Sequence, residues 1–306
     1  MDVKFLGKWK KWRDDPRNPL IKPRPPDWII ADPTFITSEE SPDGLWHLFA
    51  HSIITGINHF KSKDGITWQN SFDKTFPGMR PFLFKENDKY YLLYERLLNI
   101  FNKSVISIRE SKDLSNWSKP KDILTPTLSW EGKYNPNNGN PCLLKHKGRY
   151  YLYYSAGLVF LKDCLFYEPK YIGIAISKNI FGPYKKRAMP IIYPEKDNTF
   201  RNLGAGAMKV IYLKENETFL GFNNGIFKDK KSKSRSSILL LMSKDGIHFN
   251  ECFKQPIIFP TKGWKKSFVY QLDIRKYKNN YWLYYNARNG WFFGVEKIGL
   301  STLKIE

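Results

Sequence analysis

Apolar and polar positions alternate along this chain in a pattern that repeats: a short apolar run, a polar turn, then an aromatic-rich run. It appears as ADPTFI with LWHLFAH (Ala31 to His51), MRPFLFKENDKYYLLYE (Met79 to Glu95), NPCLLKHKGRYYLYYS (Asn140 to Ser155) and QLDIRKYKNNYWLYYN (Gln271 to Asn286). A looser copy, GAMKVIYLKENETFLGFNN (Gly206 to Asn224), fills the largest gap. Four of these pairs are followed by a second marker: SKDGITW from Ser62, SKDLSNW from Ser111, SKNIFGPY from Ser177 and SKDGIHF from Ser243. Each marker closes a third apolar run and leads through a polar turn to an aromatic that opens a fourth. Val, Ile, Tyr and Phe fill the runs and Asn, Asp, Gly and Lys the turns, as strands and hairpins require. No long stretch shows a helical period.

Five units of three or four antiparallel strands predict an all-β chain, a five-bladed β-propeller forming one domain over residues 1–306. A set of β-sandwiches would give no reason for five similar units. The inner strands are expected near residues 32–37, 80–85, 140–145, 205–211 and 269–275. The fifth unit reaches the end of the chain before its fourth strand. The N-terminal extension, residues 1–30, is expected to pack on or close that unit, with Lys4 to Trp9 as the strand.

In such a unit the start of the innermost strand and the end of the second strand lie at one rim. The starts give Asp32, Arg80, Asn140, Tyr270 and Gln271; the ends give His51, Glu95, Asn223, Asn224, Asn286 and Arg288. The opposite rim receives ordinary polar hairpins such as KENDK and KHKGR. A rim rich in convergent polar groups is the place to look for a site. Arg201 precedes the fourth inner strand and Trp28 the first, so both join the candidates. Trp28, His51, Arg80, Asn140, Arg201, Asn223, Gln271 and Arg288 are the candidate binding residues. Asp32 and Glu95 are the candidate catalytic carboxyls, with Glu168 a further acid for proton donation. The guanidinium groups of Arg80, Arg201 and Arg288 suit a phosphate or carboxylate. His47 and His51 are i and i+4 on a strand, about 13 Å apart and too far to share a metal, so no metal or cofactor is expected.

Asn18-Pro19-Leu20-Ile21, then Ala31-Asp32-Pro33, then GKYN…GNPCLLKHKGRYYLYYSAG and FGPYKK, resemble the propeller glycosidases of glycoside hydrolase family 43 and its relatives. Those enzymes act on arabinans, xylans, fructans and mannosides. The resemblance implies that Asp32 is the general base of an inverting hydrolase. The family places a second aspartate at the third inner strand, where this chain has Asn140. It places its general acid, a glutamate, at the fourth, where the segment Leu203 to Ala207 holds no acid. The expected function is therefore cleavage or binding of a glycan in a central pocket. The alternatives are an inactive propeller binding a glycan or anionic ligand, and an inverting phosphorylase using arginine-bound phosphate.

Composition narrows the classes. With 42% hydrophobic and 16% aromatic residues the chain is not disordered. No run approaches a membrane span, the charged N-terminus lacks a signal peptide's apolar stretch, and three scattered cysteines exclude a disulfide scaffold. A cytoplasmic location is the expectation. The net charge of +21 would suit nucleic acid, anionic lipid or an acidic glycan. The lysines are spread along the chain, however, and no nucleic-acid module is present. The expected partner is a saccharide or anionic sugar ligand, with no specific nucleic acid and no membrane. The densest basic cluster, Lys228 to Arg235, reads as a hairpin tip.

Overall fold

The structure, a computed structural model, describes residues 3–71, 76–98 and 103–305. Helix α1 (Val3–Lys8) and strand β1 (Arg13–Asp14) come first. The first sheet contains β2 (Ala31–Ile36), β3 (Trp46–Ser52), β4 (Gly56–Ser62) and β5 (Gln69–Asn70). The second holds β6 (Met79–Glu86), β7 (Lys89–Leu97), β8 (Ser104–Ser111) and β9 (Lys121–Leu124). The third holds β10 (Asn138–His146), β11 (Arg149–Leu161), β12 (Phe166–Ser177) and β13 (Lys185–Lys186). The fourth unit comprises β14 (Met208–Leu213), β15 (Thr218–Lys228), β16 (Ser234–Ser243) and β17 (Asn250–Glu251). The fifth comprises β18 (Phe268–Tyr277), β19 (Asn280–Arg288) and β20 (Glu296–Lys304), with β1 at its edge. Pairing inside every unit is antiparallel; one parallel bridge, Ser236 to Phe268, joins the fourth unit to the fifth.

The packing runs in a cycle. Inner strands touch in the order β2, β6, β10, β14, β18 and back to β2. Apolar clusters follow the same order. Phe49 and Tyr94 bind the first sheet to the second, and Phe82, Tyr153 and Phe219 bind the second, third and fourth. Phe222 and Tyr285 bind the fourth to the fifth, while Phe35 and Tyr284 bind the fifth back to the first. Neither face of a sheet is left to water, so each aromatic buried between units contributes up to about 1.5–3 kcal/mol of hydrophobic stabilisation.

The Ser-Lys-Asp marker has a local cause. Ser62 Oγ accepts from the amides of Asp64 and Gly65, while the Asp64 carboxylate accepts from those of Ile66 and Thr67. Ser111 with Asp113 and Ser243 with Asp245 repeat the arrangement, which satisfies a tight turn without a ladder partner.

Two expectations change. The N-terminus does supply the missing edge, but through Arg13 and Asp14, which pair with Thr302 and Ser301. Lys4 to Trp9 is largely helical, and the turn after it drops Trp9 into a fully buried slot against Phe222 and Tyr281. Asp14 holds the edge by accepting from Tyr285 Oη at 2.9 Å and Ser301 Oγ at 2.5 Å. The fourth inner strand begins at Met208 rather than 205. Asn223 Nδ2 donates to the carbonyls of Ala205 and Ala207, and Gly204 bridges Ile226, so this stretch leaves the regular ladder.

Candidate active site

At the start of the inner strands the backbone does something unusual. Asp32, Arg80, Asn140 and Gly206 have φ of 51, 53, 48 and 54°, in the left-handed region. Around the first three, and also between Val269 and Leu272, the strand register slips. Pro33, Pro81 and Pro141 follow directly and cannot donate to the ladder, so the bulge falls where the sequence interrupts pairing. Holding a non-glycine residue left-handed costs about 1–2 kcal/mol. Bulges re-aim side chains, and here Asp32, Arg80, Asn140 and Gln271 all line one central cavity of about 420 Å³. Gly206 needs its glycine, since a Cβ there would meet the Asn224 carbonyl oxygen at 2.2 Å.

The electrostatics of this cavity separate its carboxyls. His51 Nδ1 lies 2.9 Å from Asp32 Oδ2. Burial works to raise the Asp32 carboxyl. The His51 hydrogen bond, with the positive charges of His51, Arg80 and Lys209, outweighs it and holds the group below its ordinary 3.8. Glu168, on β12, goes the other way. Burial pushes its carboxyl up to about 8; Glu296 and Asp32 add to the rise, and Arg80 and Tyr270 pull against it. Glu296 is also raised, by burial first, although Arg288 opposes this by donating Nη1 to it at 3.1 Å. Its other oxygen accepts from Asn286 Nδ2 at 3.0 Å, and Asn286 Oδ1 accepts from the Asp32 amide at 3.2 Å. Asp32 is thus held from both ends.

Trp28, His51 and Arg288 also line the cavity, Trp28 at its mouth with 47% of its surface exposed. Gln271 is buried, and neither of its amide atoms has a hydrogen-bond partner. Glu95 sits elsewhere. It binds Arg80 Nη1 at 2.6 Å and opens into an adjoining hollow of about 380 Å³ that shares Arg80 and Asn140. Arg201 does not reach the cavity: it donates to the Tyr193 carbonyl at 3.2 Å and pairs with Glu251 at 2.9 Å. Asn223 alternates away from the cavity to hold Ala205 and Ala207, while its neighbour Asn224 lines it. Trp130 stacks on Tyr154 as a loop anchor. Asp273 accepts from Thr34 Oγ1 and the Phe35 amide and belongs to the packing between sheets.

Glu296 escaped the sequence reading, and Glu168 was only a secondary candidate. Both stand at or near the start of a third strand, β20 and β12, and those starts share the rim of the inner-strand starts. Adding third-strand starts to the rim would have found both. Among the described residues no group of three or more His, Cys, Asp or Glu gathers to hold a metal ion.

The sequence pattern of the glycosyl hydrolases family 43 matches residues 75–200. Extracellular endo-alpha-(1->5)-L-arabinanase 1 of Bacillus subtilis (strain 168) is 34% identical over 79 residues, which are 24% of this chain and 24% of that protein's own length. The catalytic domain of the Coprinopsis cinerea GH62 alpha-L-arabinofuranosidase superposes with a TM-score of 0.68 at 14% identity, covering 95% of this chain and 96% of that one. A GH130-family glycoside hydrolase that targets beta-1,2 mannosidic linkages in Candida mannan gives 0.68 at 13%, covering 94% and 93%. An N-acetylgalactosamine deacetylase from F. plautii gives 0.67 at 12%, covering 90% and 89%. At such identities the structural likeness concerns the fold. Through the middle of its sequence, then, the chain resembles the glycosyl hydrolases of family 43, and along most of its length it has the fold of these enzymes.

Proposed function

We propose that the chain is a single five-bladed β-propeller over residues 1–306 that cleaves a glycosidic bond in its central cavity. One observation carries the reading. Asp32 and Glu168 line one cavity, Asp32 2.9 Å from His51 with its carboxyl held below the ordinary value, Glu168 with its carboxyl pushed up to about 8. Glycoside cleavage needs that division of labour. Asp32 takes a proton from water as the water oxygen bonds to the anomeric carbon. The bond to the leaving oxygen breaks, and Glu168 passes its proton to that oxygen. The anomeric centre inverts. Asn140 and the unpartnered amide of Gln271 bind sugar hydroxyls, and Trp28 offers a ring face at the mouth. Glu168 fills the post for which the segment Leu203 to Ala207, just before the fourth inner strand, has no acid.

A catalytically silent glycan-binding propeller is the second reading, favoured by Asn140 at the third inner strand. Phosphorolysis is less well supported. Arg80 and Arg288 are each committed to a carboxylate, Glu95 and Glu296, and Arg201 lies outside the cavity. The test is a panel of aryl arabinofuranosides, xylosides, fructosides and mannosides offered to the wild type, with product configuration followed by NMR. Turnover with inversion supports the proposal. Retention would discard the water-first step, and thermal protection by a sugar without any turnover would favour the binding reading.

A further inference from the structure

The cavity opens on a rim unlike any other part of the surface. The β3–β4 turn presents Ile53 and Ile54, both more than half exposed. The end of β7 presents Leu97 and Leu98. The β11–β12 hairpin presents Phe160, Leu165 and Tyr167, and the segment between β19 and β20 presents Phe292 and Phe293, the latter 85% exposed. Four of the five second-to-third strand connections therefore carry bare apolar side chains. Among the described residues, no large exposed hydrophobic lies in a turn of the opposite rim.

The remaining second-to-third connection, between β15 and β16, is basic. Lys228, Lys230, Lys231 and Lys233 are all exposed, while the acidic group among them, Asp229, is tied to Arg235 at 2.6 Å. This hairpin is bound to its apolar neighbours. Ser234 donates to Asp163 of the β11–β12 hairpin, and Trp291 Nε1 donates to the Ser234 carbonyl at 2.8 Å. Lys233 Nζ lies 5.7 Å from the Trp291 ring, one residue from Phe292.

Aromatic rings alone would suit a longer saccharide. Ile53, Ile54, Leu97, Leu98 and Leu165 would not, because a branched aliphatic side chain offers a sugar no flat face. Apolar side chains on separate loop tips beside a lysine cluster match a lipid bilayer with anionic headgroups, where tips enter the interface and lysines meet negative charge. We infer that the cavity-bearing rim docks on an anionic membrane surface, so that the saccharide reaching the cavity is one displayed on that surface. The docking stands on the rim alone; the statement about the saccharide rests on the function proposed above. A spanning segment is not needed, and among the described residues no helix is long and apolar enough to cross a membrane.

The test is co-sedimentation of the whole protein with vesicles of phosphatidylglycerol and phosphatidylcholine, against phosphatidylcholine alone. Binding is expected to the mixed vesicles and to weaken as salt rises. Ile54→Ser/Leu98→Ser/Phe293→Ser and, separately, Lys230→Glu/Lys231→Glu/Lys233→Glu should each weaken it by about tenfold or more. Both should turn over soluble aryl glycosides like the wild type. No binding to mixed vesicles would overturn the inference. So would equal binding to both vesicle types, or a dimer in solution that the triple serine variant abolishes, which would assign the rim to a second copy of the chain. Vesicle binding without any glycoside turnover would leave the docking in place and remove the hydrolase reading instead.

Discussion

Asp32 and Glu168 differ in the charges and hydrogen bonds around them, His51 beside the first and Glu296 near the second, and two predictions follow from that contrast. Glu168 keeps its proton to about pH 8, against an ordinary 4.5. Activity that needs this proton should fall about tenfold per pH unit above that point. Glu168→Gln should lose about 10²- to 10⁴-fold on poor leaving groups, recover on activated aryl glycosides, and show no alkaline limb on those. Asp32→Asn should lose activity on both kinds, which a pH–rate series on the two substrates will separate. Stability carries the same signature. Between about 4.5 and about 8 the folded protein binds a proton that the unfolded chain has released, so this group makes stability fall as pH rises through that window. Glu168→Gln should therefore gain stability over wild type from pH 5 to pH 8 in urea melts; a difference that stays flat would contradict the raised carboxyl. Asp32 has the opposite sign: its contribution is present above 3.8 and lost as pH falls below it. The sequence showed Asp32 plainly through its Ala-Asp-Pro setting. It did not show that the Glu168 carboxyl is raised, because the charges acting on it come from Arg80, Glu296 and Asp32, each in a different unit.

Strands were the most legible level of this molecule. Repeats separated by Ser-Lys-Asp turns located the five units, because those turns satisfy their own amides and so recur with their chemistry intact. Less legible was what happens where a ladder breaks. The left-handed bulge at Asp32, Arg80 and Asn140 depends on a following proline and on neighbours from other sheets. Strand-end reasoning placed both Asn223 and Asn224 at the rim and took Asn223 as the binding candidate, when Asn224 is the residue that lines the cavity. One close approach at this level is directly testable. Gly139 on β10 stands where a Cβ would meet Glu95 Oε2 at 1.9 Å and its Cδ at 2.6 Å. Gly139→Ala must push Glu95 off Arg80, with an expected loss of about 1–3 kcal/mol. In a Glu95→Ala background the same substitution should cost much less, because the obstructing carboxylate has gone. Equal costs in both backgrounds, by chemical denaturation, would place the strain elsewhere.

At the scale of the whole molecule, residues from the start of the sequence complete the edge of the fifth unit, Arg13 and Asp14 pairing with Thr302 and Ser301. The first residues cross from α1 to the edge of the fifth sheet, and two side chains fix that path. Trp9 is fully buried against Phe222 of the fourth unit and Tyr281 of the fifth. Asp14, five residues on, accepts from Tyr285 and Ser301 and pairs with Lys265. Removing a buried tryptophan side chain typically costs about 3–5 kcal/mol, and removing the hub of a hydrogen-bond cluster about 1–3. Trp9→Ala and Asp14→Ala should each destabilise by amounts of that order. If the segment acts as one clip, losing either anchor also releases the other, because the chain between them no longer has a fixed path. The double variant should then cost clearly less than the two single losses together, by more than about 0.5 kcal/mol. Strict additivity in urea denaturation would mean that the two anchors hold independently and that the strand at Arg13–Asp14 stays in place without Trp9. Proteolysis near residue 12 supplies a second readout, since a released clip should be cut in either single variant before the sheets unfold.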